Sequence, residues 1–195
     1  MAFAETARGE RTSRHLPGEP GVWVFIAGDM LVFALLFGTF LYYRAQDPQL
    51  YLEHQGFLNQ GYGLLNTLLM LSSSWLVALA VQAARASRAA ATARLLVLAL
   101  LCGAGFVAAK SFEWSEKIRA GFTITSNDFF MYYYMLTGIH LLHVLIGMGV
   151  LLFLWRRVRD RNLAAEIGVL ESGASFWHLV DLLWIVLFPL LYLIH

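Results

Sequence analysis

Residues 22–44, "VWVFIAGDMLVFALLFGTFLYYR", form an apolar run that carries one carboxylate, Asp29. Crossing about 30 Å of hydrocarbon takes roughly 20 apolar residues as a helix, so this run is long enough to span a bilayer. Asp29 is then the anomaly. A charge at the centre of a membrane helix costs roughly 2.5–3.5 kcal/mol on insertion scales, so the residue needs a partner, a proton or a task.

Working outward, runs of similar length follow at residues 62–84, 94–112, 129–155 and 176–194. The composition agrees: 59% of the 195 residues are hydrophobic, 14% are charged, and the mean hydropathy is +0.62. Such a chain is made mostly of spans. We therefore expect an all-α, polytopic bundle of five transmembrane helices. The segments between the runs are too short to fold alone, which gives a polar N-terminal tail over residues 1–20 and one transmembrane domain over residues 21–195. The tail lacks a continuous apolar stretch of the signal-peptide kind, and Pro17, Gly18, Pro20 and Gly21 make it a non-helical approach to the first span. The single cysteine, Cys102, excludes a disulfide framework and leaves no haem-attachment or iron–sulfur pattern.

Arginine placement predicts orientation. Arg8, Arg11, Arg14, Arg85, Arg88, Arg94, Arg156, Arg157, Arg159 and Arg161 fall on one side, against Arg44, Lys117 and Arg119 on the other, with Lys110 near a helix end. The positive-inside rule puts the N-terminus in the cytoplasm and the C-terminus outside. Tyr42, Tyr43, Tyr51, Tyr62, Tyr132, Tyr133, Tyr134 and Tyr192 gather toward the expected outer interface, where amphipathic rings settle. Helix association in lipid relies on small residues, here the pairs Ala99 with Gly103 and Gly105 with Ala109, together with Gly147.

The remaining polar residues carry the chemistry. Lys110 with Glu113, His140 with His143, and His178 with Asp181 are each spaced i, i+3, which sets both members on one helix face. At about 1.5 Å per residue, Asp29 lies roughly 12 Å, Asp181 roughly 8–9 Å and His143 about 18 Å from the cytoplasmic ends of their runs. Asp29, His143, His178 and Asp181 are thus candidates for one proton-related or interhelical polar cluster, with His143 or His178 as the partner of Asp29. His140, His143, His178 and Asp181 could instead make a zinc- or iron-type site of three histidines and a carboxylate. A third reading is a proton relay of the kind found in transporters, although no internal repeat or matching pair of broken helices is visible.

Taken together, "WHLVDLLWIVLF" (177–188), "TGIHLLHVLIG" (137–147), "KSFEW" (110–114) leading into "FTITSNDFF" (122–130), and "LLNTLLMLSSS" (64–74) closely resemble subunit III of the haem-copper oxidases. The resemblance runs from Val22 onward. It implies a non-catalytic accessory subunit that packs against a large catalytic subunit in the bacterial cytoplasmic membrane and supports assembly, turnover stability and proton supply. It also implies that haem and copper or iron belong to that partner and none to this chain, that membrane lipids are the other contacts, and that no nucleic acid is bound. Asp29 stands where longer members carry a buried glutamate, and the two N-terminal helices of seven-helix members are missing. The entry "HLPGEPGVWVFIAGDM" (15–30) resembles most the short branch associated with nitric oxide reductase.

Overall fold

The computed structural model describes residues 20–160 and 163–194. The tail read over residues 1–20, with Arg8, Arg11 and Arg14, lies outside the described residues except for Pro20, and Arg161 lies outside them too. Among the described residues the chain is helical: α1 (Pro20–Gln46), α2 (Pro48–Gln55), α3 (Gln60–Arg85), α4 (Ala89–Arg119), α5 (Asp128–Asp160) and α6 (Leu163–Tyr192). All but α2 are long and apolar enough to cross a membrane, so the five spans are present.

The helices outrun their apolar stretches. The largest difference is α6, expected from residue 176 but beginning at Leu163. Polar and small residues just before residue 176 hide the helix from a hydropathy reading, and tertiary contacts account for them. Glu171 pairs with Arg85 of α3 at 2.8 Å. A Cβ added at Gly173 would lie 2.6 Å from Leu154 of α5, so the helices approach closely there. The added turns precede the apolar run, and His178 lies beside Trp23, Ile26 and Met30 of α1.

The short α2 lies between the first two apolar runs, and its signal is local. Asp47 caps it by accepting a hydrogen bond from the Leu50 amide, and Pro48 occupies the first turn, where a missing N–H is harmless. Tyr51 of α2 packs edge-on against Phe40 of α1 and Phe129 of α5. Burial, followed by the nearby Asp128 carboxylate, pushes its phenol up to about 12, so it stays neutral.

Around this frame, α6 is central and α1 peripheral: 61% of the α6 span is buried, against 17% for α1. The sequence explains the centre. Trp177 and Trp184, two helical turns apart, share a fully buried face of α6. Gly103 of α4 and Gly147 of α5 make room for Trp177, and an added Cβ at Gly147 would lie 2.7 Å from its ring. The Trp177 indole N–H donates to Ser73 Oγ (3.1 Å), which in turn donates to the Ala99 carbonyl (2.9 Å), tying α6 to α3 and α4. Trp184 donates to Thr67 Oγ1 at 3.0 Å.

Candidate functional site

Asp29 of α1 meets His143 of α5, with Asp29 Oδ1 and His143 Nε2 3.0 Å apart. Both side chains are mostly enclosed, at 11% and 13% exposure, and Phe33 lies edge-on to the imidazole. His143 Nδ1 is 2.8 Å from the Ile139 carbonyl, an oxygen that only accepts, so Nδ1 carries a hydrogen. One further proton is then shared between Nε2 and Oδ1. It leaves either a neutral acid beside a neutral imidazole or a carboxylate beside an imidazolium, and the pair has no net charge in either form. That arrangement makes the carboxyl tolerable in an apolar helix. The other oxygen, Asp29 Oδ2, is buried without a protein partner among the described residues.

His178 belongs to a different unit. Its Nδ1 lies 2.6 Å from Ser74 Oγ of α3, and the same hydroxyl contacts the Asp181 carboxyl. Asp181 is only 6% exposed, and its Oδ1 has no partner among the described residues. A cavity of about 240 Å³ lined by Gln82, Arg85, Glu171, Ser175 and His178, among others, leads to this unit from the arginine-rich end. His178 also lines an apolar cleft of about 430 Å³ beside Trp23, Ile26 and Met30 of α1. Among the described residues no hydrogen bond joins Asp29 to His178 or Asp181, so the four candidate residues divide into two hydrogen-bonded units.

His140 turns elsewhere again. Its Nε2–H donates to the Val180 carbonyl of α6 at 3.0 Å, and its ring packs against both Phe106 and Trp184. His140, His143 and the His178–Asp181 pair therefore face separate partners, and no group of three or more potential metal-binding side chains converges among the described residues.

Lys110 and Glu113 form the most enclosed ionic group, at 1% and 0% exposure. The ammonium donates to Glu113 Oε2 (2.9 Å), Tyr192 Oη (2.8 Å) and Tyr133 Oη (3.2 Å), which uses all three of its hydrogens. Tyr192 donates to Glu113 Oε1 at 2.6 Å. Two of the tyrosines expected at the outer interface thus face inward. Tyr133 and Tyr192 are fully buried, because their phenols satisfy a charge pair that lipid cannot solvate. Ser74, Tyr133 and Tyr192 are the site residues that spacing rules did not find, since each partner comes from another helix.

A model of the cytochrome c oxidase subunit III family matches residues 4–195. The chain is similar to cytochrome c oxidase subunit 3 of Corynebacterium diphtheriae, with 29% identity over 177 residues covering 89% of this chain and 86% of that relative. It is similar to quinol oxidase subunit 3 of Bacillus subtilis, with 27% identity over 177 residues covering 89% and 85%. A heme-copper oxidase subunit I+III of Aeropyrum pernix is 28% identical over 184 residues, covering 89% of this chain but 22% of that longer polypeptide.

Proposed function

Because this chain belongs to the cytochrome c oxidase subunit III family, we propose that it is the non-catalytic third subunit of a bacterial haem-copper oxidase, held in the cytoplasmic membrane against catalytic subunit I. The observation that carries this reading is the family match from residue 4 to residue 195. Support for the partner comes from the Aeropyrum pernix relative, whose name joins subunits I and III. Polypeptides joined in one organism are natural neighbours when separate in another. The other two relatives carry the names of a cytochrome c oxidase and a quinol oxidase, which favours an oxygen-reducing partner over nitric oxide reductase.

The polar residues fit a scaffold with one adjustable element. Lys110, Glu113, His140 and Ser74 are each engaged by neighbouring helices, which fixes the bundle. Asp29 and His143 hold a shared proton near the edge of the bundle, where α1 is lightly packed. Through this pair the subunit supports the partner's proton supply and its stability during turnover. Haem and copper or iron reside in the partner.

Purification by a tag on this chain in mild detergent tests the assignment. We expect haem absorbance and oxygen consumption to follow the tag. Nitric oxide consumption without oxygen consumption would replace the partner, and a colourless isolated chain would overturn the reading.

The proposed orientation has the N-terminus cytoplasmic and the C-terminus outside, on the strength of the arginines at one end. A reporter fused after His195 should read as extracytoplasmic, and one inserted beside Arg156 as cytoplasmic. The opposite pattern would invert the placement of both polar units.

A further inference from the structure

Where α3 and α6 meet, each helix contributes polar side chains to one seam. Arg85 and Gln82 come from the last turn of α3, and Glu171, Ser175 and His178 share a face of α6. The Arg85–Glu171 ion pair stands at the mouth. Behind it the cavity of about 240 Å³ has room for several water molecules, at about 30 Å³ each, and its side chains offer the polar partners that ordered water needs.

The seam continues past the cavity. Asp181 follows His178 by one turn on the same face of α6, and Ser74 meets both from α3, about 16 Å along that helix from Arg85 at 1.5 Å per residue. Mouth, cavity, imidazole, hydroxyl and carboxyl thus follow one another into the bundle. Ser74 Oγ carries one hydrogen, yet it lies 2.6 Å from His178 Nδ1 and is also hydrogen-bonded to Asp181. It must donate one of these bonds and accept the other. When Nδ1–H donates to Oγ, the hydroxyl donates to a carboxylate; when the acid donates to Oγ, the hydroxyl donates to a bare Nδ1. The two arrangements differ by one proton moved from imidazole to carboxyl.

We propose that His178, Ser74 and Asp181 form a proton-exchange site that loads Asp181 with one proton from the aqueous phase at the arginine-rich end. It is a second protonatable unit, separate from the Asp29–His143 pair. In the unloaded form His178 carries a hydrogen on Nδ1 only and Asp181 is ionised. A proton arriving through the cavity binds His178 Nε2, the ring nitrogen left once Nδ1 is engaged by Ser74. The Nδ1 proton passes to Oγ and the hydroxyl proton passes to Asp181. The loaded form holds a neutral imidazole with its hydrogen on Nε2 and a neutral acid, and the reverse sequence releases the proton. Histidine and carboxyl chains serve proton transfer in membrane proteins in this way.

The surrounding charges are matched. Arg85 of α3 and Glu171 of α6 pair with each other, α1 presents Trp23, Ile26 and Met30 to His178, Asp29 and His143 are bonded together, and His140 of α5 is committed to the Val180 carbonyl. Loading therefore follows the pH at the mouth of the cavity.

The test uses the protein purified through a tag on this chain in mild detergent, whether or not haem accompanies it, so it does not depend on the oxidase assignment. Infrared difference spectra between neutral and acidic buffer should show the carbonyl stretch of a protonated carboxyl that vanishes in Asp181→Asn and remains in Asp29→Asn. After a rapid pH drop this band should grow at least about tenfold more slowly in Ser74→Ala, and Ser74→Thr, which keeps the hydroxyl, should restore the rate. Should Ser74→Ala fail to fold, His178→Gln gives the same comparison, since its amide still bonds Ser74 but passes no proton onward. In sealed vesicles the band should respond to a pH drop on the side that carries Arg156, located by the reporter there, and not to one on the other side. An Asp181 band missing from wild type, a Ser74→Ala rate equal to wild type, or loading from the side opposite Arg156 would each overturn the proposal.

Discussion

Replacing Glu113 by leucine while leaving Lys110 in place should destabilise the bundle by about 3–5 kcal/mol, the range for removing one partner of a buried ion pair. The reason lies in the count of partners. Lys110 uses its three hydrogens on Glu113, Tyr133 and Tyr192, and Tyr192 donates in turn to Glu113. Without the carboxylate, a cation with 1% exposure remains beside two phenols. The Lys110→Met/Glu113→Leu double variant should recover much of that loss, because an apolar pair of similar size leaves no uncompensated charge. Denaturant or thermal unfolding in detergent, read by circular dichroism, gives the comparison. A single variant within 1 kcal/mol of wild type, or a double variant worse than the single, would show that the pair is not the electrostatic clasp of α4, α5 and α6 described here.

The second large effect is expected at Asp29. Asp29→Leu leaves His143 Nε2 without its partner and should cost about 1–3 kcal/mol, the penalty for an orphaned buried polar group. With α1 packed lightly against α5 and α6, the visible result is loss of α1 docking and poorer assembly with the partner. Asp29→Asn behaves differently. Its amide can donate to a neutral His143 Nε2, since Nδ1 already serves the Ile139 carbonyl, so the contact survives while the shared proton disappears. Assembly should therefore be near wild type, and the intact complex should lose activity faster in sustained turnover or show slower proton uptake. An Asp29→Asn complex that matches wild type in both measurements, with Asp29→Leu failing to assemble, would make this carboxyl a structural contact only.

These predictions draw unequally on sequence and structure. Length, hydropathy and the order of motifs were enough for the five spans, because a bilayer forces nearly any long apolar run into a helix whose backbone bonds are internal. The Asp–Pro signal for α2 is equally local, at Asp47 and Pro48. The start of α6 was not readable: Glu171 and Gly173 look like connecting residues until Arg85 and Leu154 are placed against them.

What the sequence determined by itself is the membrane class, the helical architecture, the family resemblance and the set of polar residues that had to turn away from lipid. Each of those follows from properties of one segment, or from the order of segments along the chain. Only the tertiary structure decided the partners. It paired Asp29 with His143 rather than His178, gave Ser74 to His178, sent His140 to the Val180 carbonyl, and enclosed Lys110 and Glu113 with Tyr133 and Tyr192. Helical spacing fixes which face a side chain occupies, but which helix meets that face, and at what height, depends on packing around Trp177, Gly103 and Gly147, where contacts between distant parts of the chain set the register.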